Sequence, residues 1–311
     1  MRVVFLGTPA FAVPALEALA HAHEVISVVT QPDRPKGRGK ELAAPPVKEA
    51  ARRMSLPVYQ PERVRRPEAQ EYLKALAPEI MVVVGYGQII PQAVIDIAPR
   101  GIVNVHASLL PKYRGAAPIQ WAIVNGETAT GVTTMQINAG LDTGDILLQR
   151  ETQIGSEETA VDLGERLAVM GAELLIQTLD SLAAGAITPR KQDDDQASYA
   201  PILKKEDGAI SWAQPAANIH NRVRGFTPWP GAHTRLRGQL LHIWRAKSIG
   251  ERAELPPGRV LSGPGFRVAA GDGRVLDLVE VQLEGRKRMS AEAFARGHRL
   301  SENDTLGEQP N

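Results

Sequence analysis

Residues 104–111 read Asn-Val-His-Ala-Ser-Leu-Leu-Pro, directly after the apolar run Gly-Ile-Val. Asn104 and His106 stand two apart. On a strand, residues i and i+2 share a face, so an amide and an imidazole project side by side. Further along, Asn-Ala-Gly-Leu-Asp-Thr-Gly-Asp (138–145) places Asp142 and Asp145 in a Gly-rich turn. Taken singly, each feature has an ordinary explanation. Asp in such a turn is commonly an Asx-turn, and a strand-end histidine is often a satisfied core residue. Together they say more. An Asn, a His and an Asp converging at one cleft supply two donors for an oxyanion and a carboxylate to steer protons, which suits acyl transfer. A carboxylate beside an imidazole favours its charged form. Ser108 lacks the surroundings of a nucleophile elbow, so direct transfer to an acceptor amine is the expected mechanism.

These residues must be positioned by the elements around them. The runs at 2–7, 24–30, 79–86 and 101–107 are short and rich in β-branched residues, and helical patterns separate them, as at 13–22 and 67–77. Apolar strands alternating with amphipathic helices predict a mostly parallel sheet covered on both faces. Ligands of such folds bind outside the carboxyl ends of the strands, where Asn104 and His106 fall. Residues 130–137 and 144–154 add strands, and a long helix is predicted from Ser156. The fold class is therefore α/β: a Rossmann-like N-terminal domain (1–187), a polar aperiodic linker (188–206), a small OB-like β-barrel domain (207–300) and a disordered tail (301–311). A cut near Lys204 is expected to leave a folded first domain.

Composition removes several function classes. The 311 residues include no cysteine, which excludes disulfides, thiolate metal sites and cysteine nucleophiles, and fits a reducing cytoplasm. Lys and Arg number 36 against 35 Asp and Glu, so the chain as a whole is no polycation. No uninterrupted apolar run approaches the ~20 residues of a membrane span, and the N-terminus reads as a first strand instead of a signal peptide. The first βα turn, Gly-Thr-Pro-Ala-Phe, has one glycine where a dinucleotide fingerprint needs three. A nicotinamide enzyme is disfavoured.

Positive charge is local. From Gly208 to Gly250 there is no Asp or Glu, while Arg222, Arg224, Arg235, Arg237, Arg245 and Lys247 fall inside, interleaved with Trp212, Phe226, Trp229 and Trp244. Such interleaving on a small barrel suits contacts to phosphates and unpaired bases. A second basic stretch, Pro-Asp-Arg-Pro-Lys-Gly-Arg-Gly-Lys (32–40), sets Arg34, Lys36, Arg38 and Lys40 on alternate positions of a Gly/Pro loop. A flexible basic loop beside a cleft can order on RNA.

The stretches at 104–123 and 131–147 resemble the signature of the 10-formyltetrahydrofolate-dependent formyltransferases. The N-terminal Phe-Leu-Gly-Thr-Pro-Ala-Phe, the basic loop and Phe-Thr-Pro-Trp-Pro-Gly (226–231) are similar to the branch whose acceptor is initiator methionyl-tRNA. The resemblance runs over nearly the whole chain. It implies a one-carbon transferase of translation initiation, cytoplasmic and monomeric, with 10-formyltetrahydrofolate as co-substrate and no metal. It also implies catalysis by Asn104, His106 and Asp142, a folate site lined by Ser108, Leu109, Leu110 and Pro111, and tRNA contacts from Lys36, Arg38 and Lys40. The alternative is a folate-dependent enzyme acting on a small amine such as a nucleotide-linked aminosugar, which would need neither the basic loop nor the basic C-terminal domain.

Overall fold

The computed structural model describes residues 1–36 and 41–307. Two compact units emerge. One comprises Met1–Gly115, Thr130–Gln153 and Gly164–Tyr199; the other comprises Ala116–Ala129, Ile154–Leu163 and Ala200–Asn311.

The first unit is built on a seven-stranded sheet. In chain order its strands are β1 (Arg2–Gly7), β2 (Glu24–Val29), β5 (Val58–Tyr59), β6 (Ile80–Val84), β7 (Ile102–His106), β9 (Ala129–Gln136) and β10 (Ile146–Gln153). Between them lie the short strands β3 (Arg34–Lys36), β4 (Glu41–Ala43) and β8 (Arg114–Gly115), and β11 (Tyr199–Ala200) follows later. The spatial order is β10-β9-β7-β6-β1-β2-β5. The strands from β5 to β7 run parallel, and β9 is antiparallel to β7, with Asn104 opposite Met135 and His106 opposite Thr133. The apolar runs predicted from the sequence thus form the central parallel strands, buried as such sheets require.

Helices α1 (Val13–Ala22), α2 (Pro46–Arg53), α3 (Pro67–Leu76) and α4 (Gln92–Ile95) occupy the connections, and α6 (Ala160–Ala183) follows β10. Leu73 of α3 and Val94 of α4 join Met81, Val83 and Ile102 in one core cluster. Ile102 shares its side of β7 with Asn104 and His106. The opposite side, carrying Val105, meets α6. A Cβ at Gly171 would lie 2.9 Å from Val105, so glycine there lets the helix approach the strand. The predicted long helix begins at Ala160, not Ser156, because Thr159 and Asp162 cap one another: the Thr159 N–H donates to Asp162 Oδ2 and the Asp162 N–H to Thr159 Oγ1. No described helix is long and apolar enough to cross a membrane.

The second unit contains α5 (Pro118–Val124), α7 (Ala216–Gly225), α8 (Ala291–Gly297) and a five-stranded antiparallel sheet. Strands β12 (Ala232–Leu236), β13 (Gln239–Arg252), β15 (Arg274–Leu283) and β14 (Phe266–Ala269) lie in that order, with β16 (Met289–Ser290) also pairing β15. Single bridges carry the pairing onward from β14: Val260 with Val268, Arg259 with Thr305, and Leu306 with Leu236 of β12. The open edges are thereby joined, which gives the sheet its barrel character.

The closing rung corrects one expectation. Residues 301–307, read as disordered tail, are packed: Leu306 is 2% exposed, and its N–H donates to the Gly258 carbonyl at 2.8 Å. Arg237 donates to both oxygens of Asp304, at 2.6 and 2.9 Å, and the Ser301 N–H donates to Asp304 Oδ2. The stretch is polar enough to read as a tail, yet its single leucine and its aspartate are the parts that anchor it.

Candidate active site

All five residues of β7 are buried, and its carboxyl end delivers Asn104 and His106 from one face. His106 is fixed by its ring nitrogens. The Tyr113 carbonyl lies 2.9 Å from Nε2 and can only accept, so Nε2 carries the hydrogen. Nδ1 is left facing Asp142 Oδ2 at 3.7 Å, too far for a direct hydrogen bond. A proton arriving at Nδ1 would complete an ion pair with that carboxylate.

Asp142 reaches this position from a strained backbone. Its φ is +51°, a left-handed conformation that Asp tolerates better than most residues. Two residues, Gly115 and Gln192, anchor it. The Gly115 N–H donates to Oδ2 at 2.8 Å, which aims the carboxylate. The Gln192 amide donates to the carbonyls of Asp142 and Gly144, at 2.8 and 2.7 Å. Gln192 is in turn gripped by Arg114, 2% exposed, whose Nε and Nη2 donate to Oε1 at 3.0 and 2.8 Å. The guanidinium also pairs with Asp194 at 2.7 Å. A buried Arg thus clamps the Asp142 turn through a glutamine.

The segment 108–111 turns sharply at a cis Leu110–Pro111 bond. Thr133, fully buried on β9, holds it: its hydroxyl donates to the Ser108 carbonyl and accepts from the Leu110 N–H and the Gln149 amide. All three hydrogen-bonding positions of that hydroxyl are filled. The Ser108 hydroxyl donates to the Lys112 carbonyl at 2.7 Å, so Ser108 shapes the turn from within. Leu109, Leu110 and Pro111 line a cleft of about 390 Å³ with Lys112, Gln149, Glu151, Arg190 and Gln196. The apolar wall is edged by two amides, two cations and the Glu151 carboxylate.

The predicted trio is therefore brought together around the end of β7, and three of the four predicted folate residues share one cleft. Lys36 ends β3, which pairs with β4 as a hairpin where the sequence suggested a featureless loop. Arg38 and Lys40 lie outside the described residues. Of the basic residues at 208–250, Arg224 and Arg237 serve the fold. Arg224 is buried and donates to the Gly155 and Glu158 carbonyls at 3.0 Å, and Arg237 holds Asp304. Arg245 and Lys247 are exposed at alternate positions of β13. Trp212 and Phe226 are core; Trp244 stacks under Arg288 at 3.4 Å; Trp229 is 57% exposed.

Tyr113, Arg114, Thr133 and Gln192 escaped sequence reasoning. Arg114 alone carried a signal, as a cation next to a predicted cleft. Gln192 sits in a stretch that reads as linker.

Comparison with known proteins follows the same lines. Residues 1–179 match the formyl transferase family, and residues 202–299 match the C-terminal domain of formyl transferases. The chain is 65% identical to a methionyl-tRNA formyltransferase of Solibacter usitatus over 309 residues, covering 99% of both chains. It is 54% identical to the methionyl-tRNA formyltransferase of Koribacter versatilis, again covering 99% of each. Among solved structures, an N-formyltransferase from Helicobacter canadensis, in complex with folinic acid and dTDP-3-aminofucose, superposes with a TM-score of 0.69. That match has 20% identity and covers 89% of this chain and 98% of the other, a likeness of fold.

Proposed function

We infer, for a chain that belongs to the formyl transferase family and within it to the methionyl-tRNA formyltransferases, that it formylates the α-amine of methionine esterified to initiator tRNA. The donor is 10-formyltetrahydrofolate, the reaction precedes translation initiation, and the place is the cytoplasm. The observation that carries the acceptor is the full-length 65% identity to a methionyl-tRNA formyltransferase. The observation that carries the chemistry is the carboxylate of Asp142 facing the free ring nitrogen of His106.

The reaction forms a bond between the amine nitrogen and the formyl carbon, breaks the bond from that carbon to the folate nitrogen, and moves one proton between the two nitrogens. A free α-amine has a pKa near 7.7–8.0, so it must shed a proton to attack. The Asn104 amide is the neutral donor assigned to the oxyanion, a contact worth ~10²–10³ in rate. His106 exchanges a proton at Nδ1, since its Nε2–H is committed to Tyr113. Asp142 stabilises the imidazolium and carries the proton towards the leaving nitrogen. The folate, when bound, supplies the activated formyl group; the apolar cleft of Leu109, Leu110 and Pro111 suits its ring system, and Arg190 and Lys112 suit its acidic tail. The basic loop with Lys36, Arg38 and Lys40 contacts the tRNA acceptor end, Arg38 foremost, since its guanidinium can fork to phosphate or stack on an unpaired base. One chain suffices for this chemistry.

The test is direct. The protein is incubated with 10-formyltetrahydrofolate and initiator methionyl-tRNA, or with a nucleotide-linked aminosugar. Formylation of the tRNA alone is expected; formylation of the sugar alone would sink the reading. Asp142→Asn and His106→Ala are each expected to slow single-turnover transfer at least about a hundredfold, and near-wild-type rates would refute their roles.

A further inference from the structure

The hairpin of β3 and β4 has three residues in each strand, paired Arg34 to Ala43, Pro35 to Leu42 and Lys36 to Glu41. A two-stranded hairpin of this size is marginal by itself and takes its orientation from its base. That base is held by an ion pair. Asp33, the residue before β3, accepts from Lys48 Nζ on both carboxylate oxygens, at 2.7 and 2.6 Å. Lys48 lies on α2, the helix into which β4 leads through Pro45 and Pro46. Asp33 and Lys48 therefore join the two sides of the hairpin at its neck, closing a loop 15 residues long.

The Lys48 side chain is only 9% exposed, and lysine is seldom so buried without a partner. Gln60, just beyond β5, donates to Asp33 Oδ1 at 2.8 Å and to the Gln31 carbonyl at 2.9 Å. The Gln60 amide, and with it the Lys48 ammonium, holds the Asp33 carboxyl below the ordinary carboxylate range. The chain of bonds continues. Gln31 donates to the Tyr86 carbonyl at 3.2 Å, and Thr8 donates to the same oxygen at 3.0 Å. The neck is thus tied to the carboxyl ends of β1 and β6, the edge of the sheet where ligands of this architecture bind.

We propose that Asp33 is a positioning residue: gripped between Lys48 and Gln60, it sets the angle of the paired strands β3 and β4, the strands that flank the proposed tRNA-contacting stretch. The proposal rests on the reading of that stretch as a tRNA contact. Closing the neck restricts the strand segments 34–36 and 41–43 before tRNA arrives, which lowers the ordering entropy of binding. Without the carboxylate charge, Lys48 loses its counter-ion and the neck opens.

The test compares wild type with Asp33→Asn and Gln60→Leu. The second variant breaks the tie to β5 while leaving the ion pair, so it stands in if the first does not fold. Initial rates of methionyl-tRNA formylation are measured against tRNA concentration at saturating 10-formyltetrahydrofolate, with tetrahydrofolate affinity and amide hydrogen exchange of residues 34–36 and 41–43 alongside. We expect KM for tRNA to rise about tenfold in Asp33→Asn, the range covered by a lost charge-assisted hydrogen bond, and less in Gln60→Leu. The kcat and the folate affinity stay within about twofold, and exchange in the strands at 34–36 and 41–43 accelerates in both variants. Unchanged exchange, or faster exchange with an unchanged KM, overturns the proposal. A KM change matched by an equal loss of folate affinity overturns it too, since the pair would then merely support the fold. Wild-type protein that does not formylate methionyl-tRNA would defeat the functional reading itself, and the exchange data would still decide whether the neck is held as described.

Discussion

Replacing Gln192 should disable the site without touching a reacting group. Its amide donates to the carbonyls of Asp142 and Gly144, and its carbonyl accepts from Arg114. In Gln192→Ala the two bonds to the turn vanish. At a net ~1 kcal/mol each, the turn loses roughly 2 kcal/mol of restraint. Asp142 meanwhile keeps its left-handed backbone, which disfavours the native turn by about 1–2 kcal/mol. A shift of ~2 kcal/mol changes the ratio of catalytic to relaxed turn conformers by about thirtyfold. Single-turnover formyl transfer, with both substrates saturating, should therefore slow by about ten- to thirtyfold while tRNA affinity holds. A second variant separates the clamp from simple neutralisation of Arg114. Gln192→Glu supplies Arg114 with a carboxylate but points negative charge at two carbonyl oxygens, so it should be at least as slow as the alanine variant. If Gln192→Glu restores the rate, the turn is not held by the Gln192 amide and Arg114 needs only a counter-charge.

Three further outcomes follow from the packing. Leu306→Ala should lower stability by about 2–5 kcal/mol, the usual range for a buried leucine, because Leu306 closes the barrel; a urea midpoint that does not move would contradict this. Removing residues 205–311 should yield an aggregation-prone fragment in place of the clean first domain expected from sequence. The cut strips α5 of α7, where Trp121 meets Phe226 edge-on at 5.5 Å and a Cβ at Gly225 would crowd Val124, and a monodisperse fragment with full folate affinity would refute it. Stability should also fall on acidification below the ordinary histidine value of 6.5. Burial lowers the pKa of His23, His220 and His242 in the folded protein, so the unfolded chain binds more protons near pH 6 and stability rises with pH there. Denaturation midpoints between about pH 7.5 and 5.5 should show that slope, and His220→Gln should flatten it.

The parallel strands and the His106 face of β7 were legible because burial on both sides writes an unbroken apolar run, and a period of two then assigns the faces. The hairpin at 34–43 was not legible. Its strands are short and its composition is that of a loop, so only the Asp33–Lys48 neck marks it as an arm. The tail failed for the opposite reason. Composition averages over 301–311, while Leu306 and Asp304 act singly. The basic stretch at 208–250 mixed two populations that charge counting cannot separate: Arg224 is turned onto backbone carbonyls, whereas Arg245 and Lys247 remain on the surface.

The site draws on positions far apart in the chain. His106 comes from β7, its tautomer from Tyr113, the aim of Asp142 from Gly115, and the hold on the turn from Gln192, 50 residues beyond Asp142. Each long-range contact must offset the closure entropy of the loop it spans, a cost that grows only slowly with length. What such an arrangement secures is geometry. An imidazole and a carboxylate on one short segment could drift together, whereas here the His106 ring and Asp142 Oδ2 are fixed by separate anchors, the Tyr113 carbonyl accepting from Nε2 and the Gly115 N–H donating to Oδ2. The 3.7 Å between Nδ1 and Oδ2 is the separation those two anchors leave. In the proposed mechanism, a proton entering at Nδ1 falls between two groups that are already in place, and its transfer requires little rearrangement of the protein.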